Sequence, residues 1–159
     1  MKTKTITIER IFSAPLTKVW SAWTVPEQMK KWWGPKDFTA PSIEIDLRVG
    51  GKYLNCMRGA MAPGGPLQDF WSAGEYKEIV PLQKIVASDY LCDEHGNKIR
   101  PSEVGMPGDW PDEMLVMANF ESLGEQTKIA LVHEGYPEEM FELASVGWNQ
   151  SLDKLEAIF

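Results

Sequence analysis

Apolar and polar residues alternate in several separate stretches of this chain, and near its end the apolar ones recur at steps of three and four. In residues 3–12, Ile6, Ile8 and Arg10 share one face while Thr5, Thr7, Glu9 and Ile11 share the other. That is the period of a strand. Ser13-Ala14-Pro15 stops it, and Pro15 opens a short amphipathic helix carrying Val19, Trp20 and Trp23. Thr24-Val25-Pro26-Glu27 reads as the cap of a second short helix running to Lys31 or Trp32, which Gly34-Pro35 ends.

From Phe38 the pattern returns to strands. Ile43, Ile45 and Leu47 alternate with Glu44, Asp46 and Arg48, as in a half-buried antiparallel strand. Gly50-Gly51 signals a hairpin, with residues 53–58 as its return. Residues 59–69 hold Pro63-Gly64-Gly65-Pro66 and read as a loop; 70–80 and 84–92 are strands around the break at Pro81, with Gly74 a bend or bulge. Residues 93–111 are irregular and rich in Pro and Gly, a long excursion with Trp110 as anchor; such loops often cover a site. Residues 113–122 and 126–134 form a last hairpin, and Gly135-Tyr136-Pro137 turns the chain into a helix over 138–159. On that helix Phe141, Ala144, Trp148, Leu152, Leu155 and Phe159 form one stripe. A stripe containing Phe and Trp suits a concave partner. The order predicts an α+β domain over residues 1–159: a curved antiparallel sheet of six to seven strands wrapped on a long C-terminal helix, with two short helices after the first strand.

At 159 residues the chain suits one domain with a real core, and 43% hydrophobic with 25% charged residues is ordinary for a soluble globule. No apolar run of about 18 residues is present, so membrane insertion is not expected. The N-terminus enters strand-like alternation without the apolar core of a secretion signal, which makes the cytoplasm the expected location. A net charge of −7 with scattered Lys and Arg argues against nucleic acid. Cys56 and Cys92 read as reduced packing residues. With His95 and His133 they lack zinc-site spacing, so no metal is expected.

The sequence contains no GxSxG elbow, Walker A loop or GxGxxG fingerprint, and no cofactor is expected. Candidate chemistry lies on the strands. His133 shares parity with Ile129 and Leu131 and should point inward, as a general base, a ligand-orienting group or a hydrogen-bonded core histidine. Asp89 shares parity with Ile85, Ala87 and Leu91; Glu75 with Trp71 and Ala73; Asn55 with Tyr53 and Met57. An inward carboxylate would suit proton transfer, and Arg48 could partner one of them. His133, Asp89, Glu75 and Tyr53 are thus the catalytic candidates. Trp71 and Trp148 are the aromatic residues expected at a cavity, with Trp32-Trp33 at its mouth; Trp20 and Trp23 should pack on the sheet. Met57 and Met117 suit an adaptable pocket or plain core filling, and Asn55, Phe141 and Leu131 complete the expected lining.

Several motifs resemble one family. Arg10-Ile11-Phe12-Ser13-Ala14-Pro15, Val19-Trp20-Ser21-Ala22-Trp23-Thr24 and Trp32-Trp33-Gly34-Pro35 are similar to the opening of the family related to the heat-shock protein 90 ATPase activator. Leu47-Arg48-Val49-Gly50-Gly51-Lys52-Tyr53 resembles its Gly-Gly hairpin and residues 74–81 its next strand; 127–133 and Gly147-Trp148 resemble its closing elements. The resemblance implies the helix-grip fold of START and Bet v 1-like proteins, with a cavity between sheet and helix that takes a hydrophobic small molecule. Three functions follow as expectations: binding of a hydrophobic or aromatic small molecule, acid–base cyclisation or dehydration of a polyketide-like substrate in the same cavity, or a chaperone-cofactor interaction module. An edge strand in this fold also leaves room for a homodimer.

Overall fold

The computed structural model describes residues 2–159. Strand β1 (Thr3–Phe12) leads into helices α1 (Leu16–Thr24) and α2 (Pro26–Met29). Strands β2 (Thr39–Ile45), β3 (Lys52–Gly59), β4 (Gln68–Val80), β5 (Lys84–Cys92), β6 (Met114–Ser122) and β7 (Thr127–Pro137) follow, and helix α3 (Glu138–Ala157) closes the chain. All seven strands form one antiparallel sheet in the order β1-β7-β6-β5-β4-β3-β2. Only β1 leaves its sequence neighbour, crossing to pair with β7. This is the predicted α+β helix-grip architecture.

The concave face and α3 enclose the core. Ile6, Phe12, Ala118, Phe120, Ile129 and Leu131 from the strands meet Trp148, Leu152 and Leu155 from α3. At the C-terminal end of the predicted stripe, Phe159 is more than a third exposed, edge-on to Phe12. Arg10, inward at the rim, holds α3 through Asp153 at 2.6 Å and Asn149 at 3.1 Å.

Three local expectations need correction. Leu47 lies outside β2, which ends at Ile45; the 46–51 turn is instead stitched to β4 by Gly50 N to Tyr76 O and Tyr76 N to Gly51 O, both 2.9 Å. Thr24 does not cap α2, because its hydroxyl bonds back to Trp20 O at 2.8 Å. Gly135-Tyr136-Pro137 does not break β7. The register with β1 slips between Lys4 and Thr5, leaving Gly135 as the extra residue at φ +108°. One extra residue flips the side chains that follow, so Tyr136 comes to pack on His133.

The 93–111 excursion contains a single 3₁₀ turn, Pro101–Val104. Its Met106 is buried with Phe70 and Met140 in a second small core. Trp110 packs edge-on to Tyr136 at 5.8 Å and donates to Pro107 O at 3.0 Å. No helix is long and apolar enough to cross a membrane among the described residues.

Candidate functional site

A cavity of about 50 Å³ lies between the concave sheet face and α3. At roughly 30 Å³ per water it has room for one or two waters. One wall is apolar and largely aromatic: Trp23 of α1, Met29 of α2, Trp33 and Trp148 of α3. The strands supply Ile45, Ile85, Ala87 and Val116, and five groups with polar atoms, Tyr53, Asn55, Tyr76, Asp89 and His133.

Pairing explains how the polar groups come together. Tyr53 stands opposite Gly74, and Asp89 opposite Met114. His133 stands opposite Val116. Tyr53, Asp89 and His133 therefore rise from β3, β5 and β7, the alternate strands of the concave face. Gly74 leaves the space that Tyr53 fills: a Cβ there would strike Ser88 O and stand 2.7 Å from Tyr53 Cε2. Glu75 N turns to Ser88 Oγ at 3.0 Å, and Ser88 O accepts from Tyr53 Oη at 2.8 Å.

The network has a defined polarity. Tyr53 Oη also lies 2.9 Å from Asp89 Oδ1, so one proton serves two acceptors. Trp148 Nε1 donates to His133 Nδ1 at 2.9 Å. An indole N–H can only donate, so Nδ1 is the bare acceptor and the ring proton sits on Nε2. Nε2 stands 3.0 Å from Asp89 Oδ2, at ion-pair distance but out of hydrogen-bond alignment. The attraction there is charge against N–H dipole rather than an in-line bond. Asn55 is 2% exposed, and its Oδ1 has no hydrogen-bond partner among the described residues.

Burial raises the Tyr53 hydroxyl well above its ordinary range, and the adjacent Asp89 charge raises it further. The same two causes raise Tyr136, whose ring meets His133 edge-on at 4.6 Å. Both phenols stay protonated at neutral pH. No group of three or more His, Cys, Asp or Glu side chains is placed to hold a metal among the described residues.

Of the residues singled out from sequence, Tyr53, Asn55, Asp89, His133 and Trp148 line the cavity together. The others lie elsewhere. On β4 the pairing puts Ser72, Gly74 and Tyr76 on the same face as Asn55 and Tyr53, so Trp71 and Glu75 face the convex side. Glu75 there pairs with Lys77 at 2.8 Å. Met117 is on the convex side as well, one residue out of step with Val116. Met57 joins the second core. Leu131 is fully buried below His133, and Phe141 is half-buried with Lys4 Nζ 5.1 Å over its ring. Arg48 pairs with Asp46 at 3.0 Å in the hairpin turn.

Sequence reasoning missed Trp23, Met29 and Tyr76 as wall residues. It also set Trp32 beside Trp33 at the mouth, whereas Trp32 is fully buried and donates to Ala22 O at 2.8 Å. The one available signal was the helical spacing that puts Met29 and Trp33 on one face.

Comparison with known proteins agrees with this fold. Protein CV1439 from Chromobacterium violaceum is 30% identical, with a TM-score of 0.76 over 97% of this chain and 95% of its own. Protein Ms6760 from Mycobacterium smegmatis is 23% identical at a TM-score of 0.75, over 100% of this chain and 96% of its own. The AHSA1 protein from Silicibacter pomeroyi is 22% identical at a TM-score of 0.71, over 97% and 96%. No curated protein matches. The model of the family described as activator of Hsp90 ATPase homolog 1-like protein matches residues 13–159, and the chain belongs to that family.

Proposed function

We propose that this protein binds an apolar or aromatic small molecule in the cavity between the sheet and α3. The observation that carries the reading is a cavity with an aromatic wall on one side and Tyr53, Asn55, Asp89 and His133 on the other. Ligand sites commonly combine a mostly apolar lining with a few polar anchors. The present volume of about 50 Å³ is well below the roughly 300 Å³ or more of a drug-sized site. A ligand of that size enters by displacing Trp33, the half-buried member of the wall, together with its helical neighbour Met29.

The test is native mass spectrometry of the protein from its own host, beside a denatured control. A co-purifying mass lost on denaturation is expected, and A87L, which fills the cavity, should lose it as well. A mass retained fully by A87L would place the ligand outside the cavity and sink the reading.

A second reading, acid–base turnover in the same cavity, is favoured by the Tyr53–Asp89–His133 arrangement. Asp89 would be its working group, since Nδ1 of His133 is taken by Trp148. D89N that abolishes conversion of a bound ligand, while binding persists, would establish it. Conversion unchanged in D89N would remove it.

A further inference from the structure

We infer that the ligand of this cavity is an organic cation, an ammonium ion with an apolar body, whose charged head is held by Asp89. The inference rests on the binding reading above. It comes from the charge and donor inventory of the lining rather than from its apolar area.

Among the thirteen lining residues, Asp89 is the only acidic one, and none is Lys or Arg. Its side chain is 15% exposed, and its sole ion-pair contact among the described residues is His133. The Nδ1 of that histidine is committed as an acceptor from Trp148, so the ring facing Asp89 is neutral. A mostly buried carboxylate with no cationic partner is costly, and an ammonium supplies the missing charge. The donors around it are neutral O–H and N–H groups, none of which brings a positive charge. Tyr53 gives its proton to Ser88 O and Asp89 Oδ1, Trp148 gives its proton to His133, and Nε2 of His133 faces Asp89. Asn55 adds a carboxamide that can accept through Oδ1, which has no partner among the described residues, and donate through Nδ2.

The opposite wall suits the same ion. Trp23, Trp33 and Trp148 present indole rings to the cavity, Tyr76 adds a phenol ring from the sheet side, and Trp23 lies nearly parallel to Trp148 at 7°. The faces of such rings attract cations. A carboxylate or phosphate ligand would meet the Asp89 charge with no Lys or Arg to offset it, so fatty-acid-like ligands are disfavoured.

The test measures affinity at pH 7 by calorimetry for two matched series: butylammonium, butanol and butyrate, then 2-phenylethylammonium, 2-phenylethanol and phenylacetate. In at least one series the ammonium should bind at least about tenfold tighter than the alcohol, the usual scale of a charge-assisted hydrogen bond, with the carboxylate weakest. D89N, which keeps the side-chain shape, should bring ammonium and alcohol to within about twofold, and A87L should weaken both. The wild-type comparison does not depend on any variant folding. An alcohol or carboxylate that binds as tightly as its ammonium in every series that binds overturns the cation inference and leaves the binding reading standing. Ammonium affinity unchanged in A87L overturns the inference by placing the cation elsewhere. Failure of every compound in both series to bind overturns both.

Discussion

Trp148 Nε1 and His133 Nδ1 are 2.9 Å apart, and this one bond ties α3 to β7 at the cavity wall. The pair is nearly sealed: Trp148 is 8% exposed and His133 2%. W148F keeps most of the ring and removes the donor. It should cost about 1–3 kcal/mol, because a buried acceptor is left without a partner. It should also release the tautomer. Nitrogen-15 NMR of wild-type protein should show His133 as one neutral form with Nδ1 bare, and W148F should show a mixture. A single unchanged tautomer in W148F would mean that Asp89, not Trp148, sets the proton.

Gly74 is the second fixed point of the site. Its missing side chain leaves room for the Tyr53 ring, and a Cβ would strike Ser88 O. G74A should therefore destabilise by several kcal/mol or prevent folding, since the obstacle is backbone rather than a side chain that can turn aside. Gly96 makes the control. Unlike Gly74 it needs a positive φ, +85°, but a Cβ there meets nothing within 4 Å, so G96A should cost only about 1–2 kcal/mol. Comparable losses in urea denaturation would refute the packing argument.

These two positions also show where sequence reasoning reaches and where it stops. Alternation located the strands, because a half-buried strand writes its two faces into the chain. Parity was sound on β7, where Ile129, Leu131 and His133 do point inward. On β4 it was inverted. The place of Trp71 on a central strand suggested an inward face, but the ladder places Gly74 opposite Tyr53, and an absent side chain leaves no hydropathy signal. The His133–Trp148 bond was hidden for another reason. The two residues are 15 apart, across a bulge at Gly135 that nothing in the local pattern dates to that residue. Cavity volume was not legible at all, since it depends on how Trp33 and Met29 settle against α3.

Buried tyrosines give the protein a defined alkaline limit. Tyr53 and Tyr76 are each 8% exposed, and burial raises both phenols well above the ordinary tyrosine range, with further upward pushes from Asp89 and Asp46 respectively. In the unfolded chain both ionise near 10, while in the folded chain both keep their protons. The folded state then binds more protons than the unfolded one, so stability is intact below pH 10 and falls above it. Each tyrosine contributes a slope of about 1.4 kcal/mol per pH unit. Denaturation midpoints measured from pH 8 to 11 should drop beyond pH 10, and Y76F should make that drop shallower. A curve of the same slope in Y76F would show that its phenol ionises freely in the fold.

Cys56 and Cys92 sit on β3 and β5, each paired with Trp71 of the strand between them. Two strand spacings of about 4.8 Å put their backbones too far apart for a disulfide. Both are buried, and desolvation pushes the Cys56 thiol up to about 11 and the Cys92 thiol up to about 12. The thiolate is the reactive form, so neither should react with a thiol reagent at pH 8 in the native protein, and both should react at once in denaturant. Slow native labelling of the two at a common rate would report opening of the sheet around Trp71. Rapid labelling of one alone would show that its side of the convex face is open to solvent.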